Sequence, residues 1–85
     1  MTLVFDSYAL EDLQYWVKVD RKKAQRILTM VQSLEKDPVH GLGKPEPLKH
    51  QLLSGCWSRR IDHQHRLVYG VDHGQIRILS CRYHY

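Results

Sequence analysis

Two hydrophobic rhythms divide the chain, one with helical spacing in the first half and one alternating in the second. Residues 2–6 read as a short strand, after which Ala9, Leu13, Trp16 and Val17 recur at helical spacing between Ser7 and about Lys18. Ser7 is the expected N-cap, with Glu11 and Asp12 near the positive end of the helix dipole. Asp20 is then placed to cap a second helix whose apolar stripe is Ala24, Ile27, Leu28, Val31 and Leu34, ending near Asp37-Pro38. Arg21, Lys22, Lys23 and Arg26 fall on its other face, the pattern of a solvated helix surface. From Pro38 to Pro47 two glycines and three prolines interrupt both rhythms, so one long loop is expected. Strand-like stretches follow near 48–52, 56–62, 65–72 and 75–81, with turns at Ser54-Gly55 and Asp72-His73-Gly74. This order predicts an α+β fold: two N-terminal helices packed on one antiparallel, twisted sheet. With no repeat or low-complexity tract, residues 1–85 read as one domain.

Composition narrows the class. A chain of 85 residues hides only about 60% of its unfolded surface, so the fold is marginal alone. The hydrophobic share of 42% and charged share of 26% are ordinary globular values, which argue against disorder. No apolar run is long enough to span a bilayer, and the first residues lack the charged region and cleavage site of a signal peptide. A cytoplasmic protein without membrane association is expected. Cys56 and Cys81 have no C-x-x-C pairing, so buried or half-buried thiols are the default. Residues 1–39 carry six Lys/Arg and six Asp/Glu, whereas residues 40–85 carry seven and three. The whole net charge of +4 and all six histidines therefore sit in the second half. That asymmetry suits a polyanionic partner, although a solvated sheet face would show it equally.

The candidate chemistry lies in the same half. Arg82-Tyr83-His84-Tyr85 sets an imidazole between two phenols beside an arginine, a toolkit for proton exchange, phosphate binding and base stacking. Taken singly, Tyr83 reads better as a strand-end packing residue. Glu46 stands between Pro45 and Pro47, whose fixed φ angles suit rigid placement of a general base; an exposed loop carboxylate would look the same. Alternation puts Arg59 and Arg60 on opposite sides of one strand, so Arg60 can share a face with Arg66 of the next. Surface arginines balancing Asp62 and Asp72 are the competing reading, and Arg59 and Arg77 fit it well.

Four blocks in order carry a family resemblance: Gly43-Lys44-Pro45-Glu46-Pro47-Leu48-Lys49-His50, Trp57-Ser58-Arg59-Arg60-Ile61, His65-Arg66-Leu67-Val68-Tyr69 and Cys81-Arg82-Tyr83-His84-Tyr85. With Tyr15-Trp16 in the first helix, the chain resembles the YoeB toxins of the RelE/ParE superfamily from end to end. Two departures are Cys56, where a bulky aromatic is expected, and residues 50–55, one residue longer than the family's turn. The resemblance implies a toxin of a type II toxin-antitoxin system, a ribosome-dependent endoribonuclease that cuts mRNA in the A site and needs no cofactor. It also implies a YefM-type antitoxin, frequent homodimers and operator binding by the toxin-antitoxin complex. Carried over by position, Glu46 is the general base, Arg66 the phosphate clamp and His84 the general acid; Lys49, Arg60 and Tyr85 match substrate-contacting positions, and Arg82 is grouped with them.

The corresponding chemistry needs no metal, because the neighbouring 2′-hydroxyl serves as nucleophile. Glu46 takes its proton, Arg66 stabilises the phosphorane, and His84 protonates the departing 5′-oxygen, leaving a 2′,3′-cyclic phosphate and a 5′-hydroxyl. A non-catalytic nucleic-acid-binding module is the main alternative, with the arginines on phosphates and Trp57, Tyr83 and Tyr85 stacking bases. A zinc site on His63-x-His65 with His50, His73 or a cysteine lacks a recognised spacing, and a cysteine nucleophile ranks lower still. The superfamily's gyrase-poisoning branch does not account for the Glu46, Arg66 and His84 set.

Overall fold

A computed structural model describes residues 1–41, 43–48 and 55–82. Strand β1 (Thr2–Phe5) leads into helices α1 (Ser7–Val19) and α2 (Arg21–Lys36), followed by β2 (Glu46–Pro47), β3 (Cys56–Arg60), β4 (Arg66–Asp72) and β5 (Gln75–Ser80). The two helices lie on one face of a five-stranded sheet ordered β1-β5-β4-β3-β2. Its β2–β3–β4–β5 part is antiparallel, but β1 joins the edge parallel to β5, making the sheet mixed. The helical hairpin between β1 and β2 permits that long-range pairing.

Both helix starts have identifiable chemistry. Asp6, not Ser7, is the N-cap of α1; it makes no side-chain capping bond because its carboxylate accepts from Arg77 at 2.8 Å. Asp20 ends α1 by donating its N–H to the Trp16 carbonyl and starts α2 by accepting from the Lys23 N–H, the expected cap. In α2 the buried residues are Ala24, Ile27, Met30, Val31 and Leu34, while Leu28 remains 39% exposed. Met30 thus takes the place expected of Leu28, which sits at the margin of the buried arc. Val17 of α1 is likewise exposed, leaving Ala9 and Trp16 as that helix's buried residues.

Alternation along the strands assigns the faces. Trp57, Arg59, Leu67, Tyr69, Ile76 and Ile78 point toward the helices, and the apolar ones among them join Ile27, Met30 and Leu34 in the core cluster. Burying Ile27 or Leu34 completely contributes about 1.5–3 kcal/mol each. The expected loop from Pro38 to Pro47 contains a short edge strand instead: Glu46 registers opposite Ser58 and Pro47 opposite Trp57, and the Leu48 N–H reaches the Cys56 carbonyl at 2.9 Å. Pro47 is tolerated there because an edge strand can leave one side unpaired. The strand expected at 48–52 and the longer turn at 50–55 fall mostly outside the described residues. Cys56 faces Gly70, where an added Cβ would stand 3.6 Å from the thiol sulfur.

The turn from Ile61 to His65 replaces the expected strand ends at 61–62 and 65. The His65 carbonyl accepts from the N–H groups of Ile61 and Asp62, and Asp62 Oδ1 accepts from those of Gln64 and His65. Lys23 of α2 meets the other oxygen at 2.5 Å. Arg26 fastens the same turn through the carbonyls of Ile61 and Arg60, so two of the four basic residues expected on a solvated face are structural. Partial burial raises the Asp62 carboxyl's pKa, but Lys23 and the two N–H donors outweigh it and hold the group at about 2. A depressed pKa confers stability above the unfolded value and loses it as pH falls through the folded one. Stability should therefore drop between 3.8 and about 2 more steeply in the wild type than in Asp62→Asn, measured by urea unfolding across that range. Equal slopes would remove Asp62 as the source.

Candidate active site

One row crosses the sheet on the face away from the helices. The register aligns Glu46 with Ser58, Ser58 with Val68, and Val68 with Ser80, so these side chains share that face. Arg60 and Arg66 form the adjacent cross-strand pair on the same face. Like charges directly opposite repel, and each arginine meets the strain differently. Arg60 is exposed, whereas Arg66 turns inward, donating from Nε to Ser58 Oγ at 2.8 Å. Its Nη2 stands 3.9 Å from Glu46 Oε1, an ion pair rather than a hydrogen bond.

That separation matters. The Arg66 side chain is only 16% exposed while Glu46 is 60% exposed, so a fixed guanidinium lies beside a carboxylate open to solvent. Buried Nη2 has no hydrogen-bond partner among the described residues, leaving a donor oriented toward the carboxylate's side of the site. The arrangement offers a proton acceptor and an anion-binding fork within one phosphate's reach. Ser58 was not singled out by its chemistry, yet it fixes the fork; its position two residues from Arg60 on the same strand face was the available signal.

Other sequence-level candidates are placed differently. Arg82 stacks on Tyr15 of α1, with Cζ 3.5 Å from the ring centroid, so its guanidinium is engaged by the helix. Arg59, expected as a surface residue, is wholly buried, and Arg77 pairs with Asp6 rather than Asp62 or Asp72. Trp57, a base-stacking residue in the binding-module alternative, packs against the core cluster. Lys49, Tyr83, His84 and Tyr85 lie outside the described residues.

His63 and His65 sit on the turn, not on alternate strand positions, and the His65 ring packs edge-on against Trp16 at 4.8 Å. Among the described residues no group of three His, Cys, Asp or Glu side chains could hold a metal ion. The cysteines make poor nucleophiles: burial, reinforced by Asp12, pushes the Cys81 thiol up to about 12, and burial also raises Cys56. No helix among the described residues is long and apolar enough to cross a membrane.

Residues 5–85 match the family described as the YoeB-like toxin of bacterial type II toxin-antitoxin systems. The chain is 49% identical to Toxin YoeB of Mycobacterium bovis, the match covering 95% of this chain and 94% of that one. Among solved structures, the YoeB/ParE toxin from Agrobacterium tumefaciens superposes with a TM-score of 0.93 at 37% identity and full coverage of both chains. The YoeB dimer from Staphylococcus aureus gives 0.90 at 43% identity, covering 100% of this chain and 98% of that one. With the same identity and coverage, the heterotetrameric YoeB-YefM complex from that organism gives 0.86.

Removing the Ser58 hydroxyl tests the inward fork directly. Ser58→Ala leaves the partly buried Arg66 Nε without its acceptor and should cost about 1–3 kcal/mol in urea unfolding, with an unchanged denaturant slope. A loss below about 0.5 kcal/mol would show that the bond contributes no more than a surface contact.

Proposed function

Because the chain belongs to the family of YoeB-like toxins of bacterial type II toxin-antitoxin systems, we propose that it is a ribosome-dependent mRNA endoribonuclease. The observation that carries this reading is the 3.9 Å approach of the Glu46 carboxylate to the Arg66 guanidinium on the face opposite the helices. A pure binder gains nothing from a carboxylate beside its phosphate fork, since like charge repels the ligand. A nuclease using the 2′-hydroxyl needs both groups, one to take the proton and one to neutralise the phosphorane.

Glu46 acts as general base and Arg66 as phosphate clamp, with Ser58 orienting the clamp. Arg60 is the second, solvent-facing cation of the same strand pair and contacts an adjoining phosphate. His84 is the general acid, a role suited to an imidazole that exchanges protons near neutral pH. Ser80 lies in the row that contains Glu46, and β5 ends there, four residues before His84 in the chain. Lys49 and Tyr85 complete the substrate contacts. Arg82 is held against Tyr15 rather than directed to the substrate.

The products are a 2′,3′-cyclic phosphate and a 5′-hydroxyl. Two proton-transfer groups and one clamp make a modest catalyst, so alignment of the mRNA in the ribosomal A site supplies much of the remaining acceleration. Control in the cell falls to a YefM-type antitoxin, in line with the complex solved for the staphylococcal relative, and the paired proteins bind operator DNA. The free toxin forms a homodimer, as that relative does, and works in the cytoplasm.

Purified wild type, Glu46→Gln and His84→Gln are to be compared on programmed ribosomes. Each variant should lose about 10²-fold or more in cleavage rate while its melting temperature stays near wild type. His84→Gln cleaving at the wild-type rate would end the acid assignment. Product ends should be cyclic phosphates, and naked RNA should be cut far more slowly than ribosome-bound message; equal rates would refute the dependence on the ribosome.

A further inference from the structure

One arginine of β3 is shut away from any ligand. Arg59 is wholly buried on the helix side of the sheet. Its Nη1 donates to Ser33 Oγ at 2.8 Å, and its Nη2 to the carbonyls of Asp37 and His40 at 2.6 and 2.7 Å. Its Nε donates to the Tyr69 hydroxyl at 3.2 Å, which in turn donates to the Pro38 carbonyl. The acceptors therefore come from the end of α2, from β4 and from residues 37–40 of the segment that leads to Glu46.

A buried cation is costly unless its donors are met, and apolar side chains could hold a loop down without that cost. A guanidinium does something they cannot: its planar fork fixes several carbonyl oxygens at set angles and so dictates the loop's orientation. Asp37 reinforces the same turn from its own side chain, whose Oδ1 accepts from the N–H groups of Val39 and His40.

A second anchor follows before Glu46 is reached. The Gly43 carbonyl accepts from the Arg60 N–H at 2.7 Å. Gly43 has φ +89° and lies so close to β3 and α2 that an added Cβ would stand 2.8 Å from the Arg60 carbonyl oxygen and 3.0 Å from Met30 Cε. Lys44 then takes φ 52°, a left-handed conformation uncommon for lysine, and Pro45 delivers the chain to β2.

We infer that Arg59 and Tyr69 are positioning residues for Glu46, working from the helix side of the sheet to orient the chain at Asp37, Pro38 and His40 so that the carboxylate stands beside Arg66. The inference rests on the proposed role of Glu46 as general base. Neither residue touches RNA; they act on the rate of the chemical step through the placement of one group.

Tyr69→Phe is the sensitive test, since it removes the hydroxyl shared by Arg59 and Pro38 and keeps the buried ring, whereas Arg59→Leu would risk the fold. Cleavage of ribosome-bound mRNA is measured for wild type, Tyr69→Phe, Glu46→Gln and the double variant, each first checked for a cooperative melt. Misplacement by about 1 Å can cost up to about 10²-fold, so Tyr69→Phe should lower kcat at least about tenfold with KM nearly unchanged. In the Glu46→Gln background the same change should cost nothing further. A wild-type kcat for Tyr69→Phe, a change confined to KM, or an equal fractional loss in both backgrounds would overturn the inference. A wild-type rate for Glu46→Gln itself would instead bring down the general-base reading, and this one with it.

Discussion

The register of β3 between its two neighbours is the constraint on which the rest depends. Cys56 to Arg60 has β2 on one side and β4 on the other, and its alternation assigns each residue to the helices or to the opposite face. Ser58 and Arg60 serve the face away from the helices, while Trp57 and Arg59 serve the helix-packed one. A slip of one residue would exchange the two sets, exposing the buried arginine and burying the exposed one. Core formation and site formation are therefore one event. The apolar partners of Trp57 and Arg59, Tyr69 and Leu67, specify the register because they must be covered, and Ser58 meets Arg66 as a result.

The two arginines that follow Ser58 show how position changes one side chain's work. Arg59 meets oxygen atoms within the fold and acts as an internal template. Arg60 is exposed, its main chain tied into the fold through Gly43 and Arg26. Arg66 lies between these extremes, mostly covered yet with one donor left unused among the described residues. A guanidinium held in that state has little side-chain entropy left to lose in any further contact.

From the helix side of the sheet, α1 secures the chain at the end of β5. Trp16 Nε1 donates to the Cys81 carbonyl at 2.8 Å, Asp12 accepts from the Cys81 N–H at 3.0 Å, and Tyr15 carries the Arg82 guanidinium. Lys23 lies over the Trp16 ring at 4.8 Å and also pairs with Asp62, so the same aromatic residue links both helices to the β3–β4 turn. A small domain with a limited core gains rigidity from such shared contacts, each constraining two elements at once.

Helical spacing, Asp20 as a cap, the Asp72-His73-Gly74 turn and the α+β order were legible in the sequence because each is set by interactions within a few residues. The family blocks likewise marked Glu46, Arg60 and Arg66 as residues of interest from their linear context alone. Long-range pairing decided the rest. Parallel attachment of β1, the edge strand at Glu46, the burial of Arg59 and the capture of Arg82 by Tyr15 join residues far apart in the chain. An arginine's composition does not state whether its charge will face water or a ring of carbonyls; that depends on which surfaces the packed sheet and helices leave uncovered.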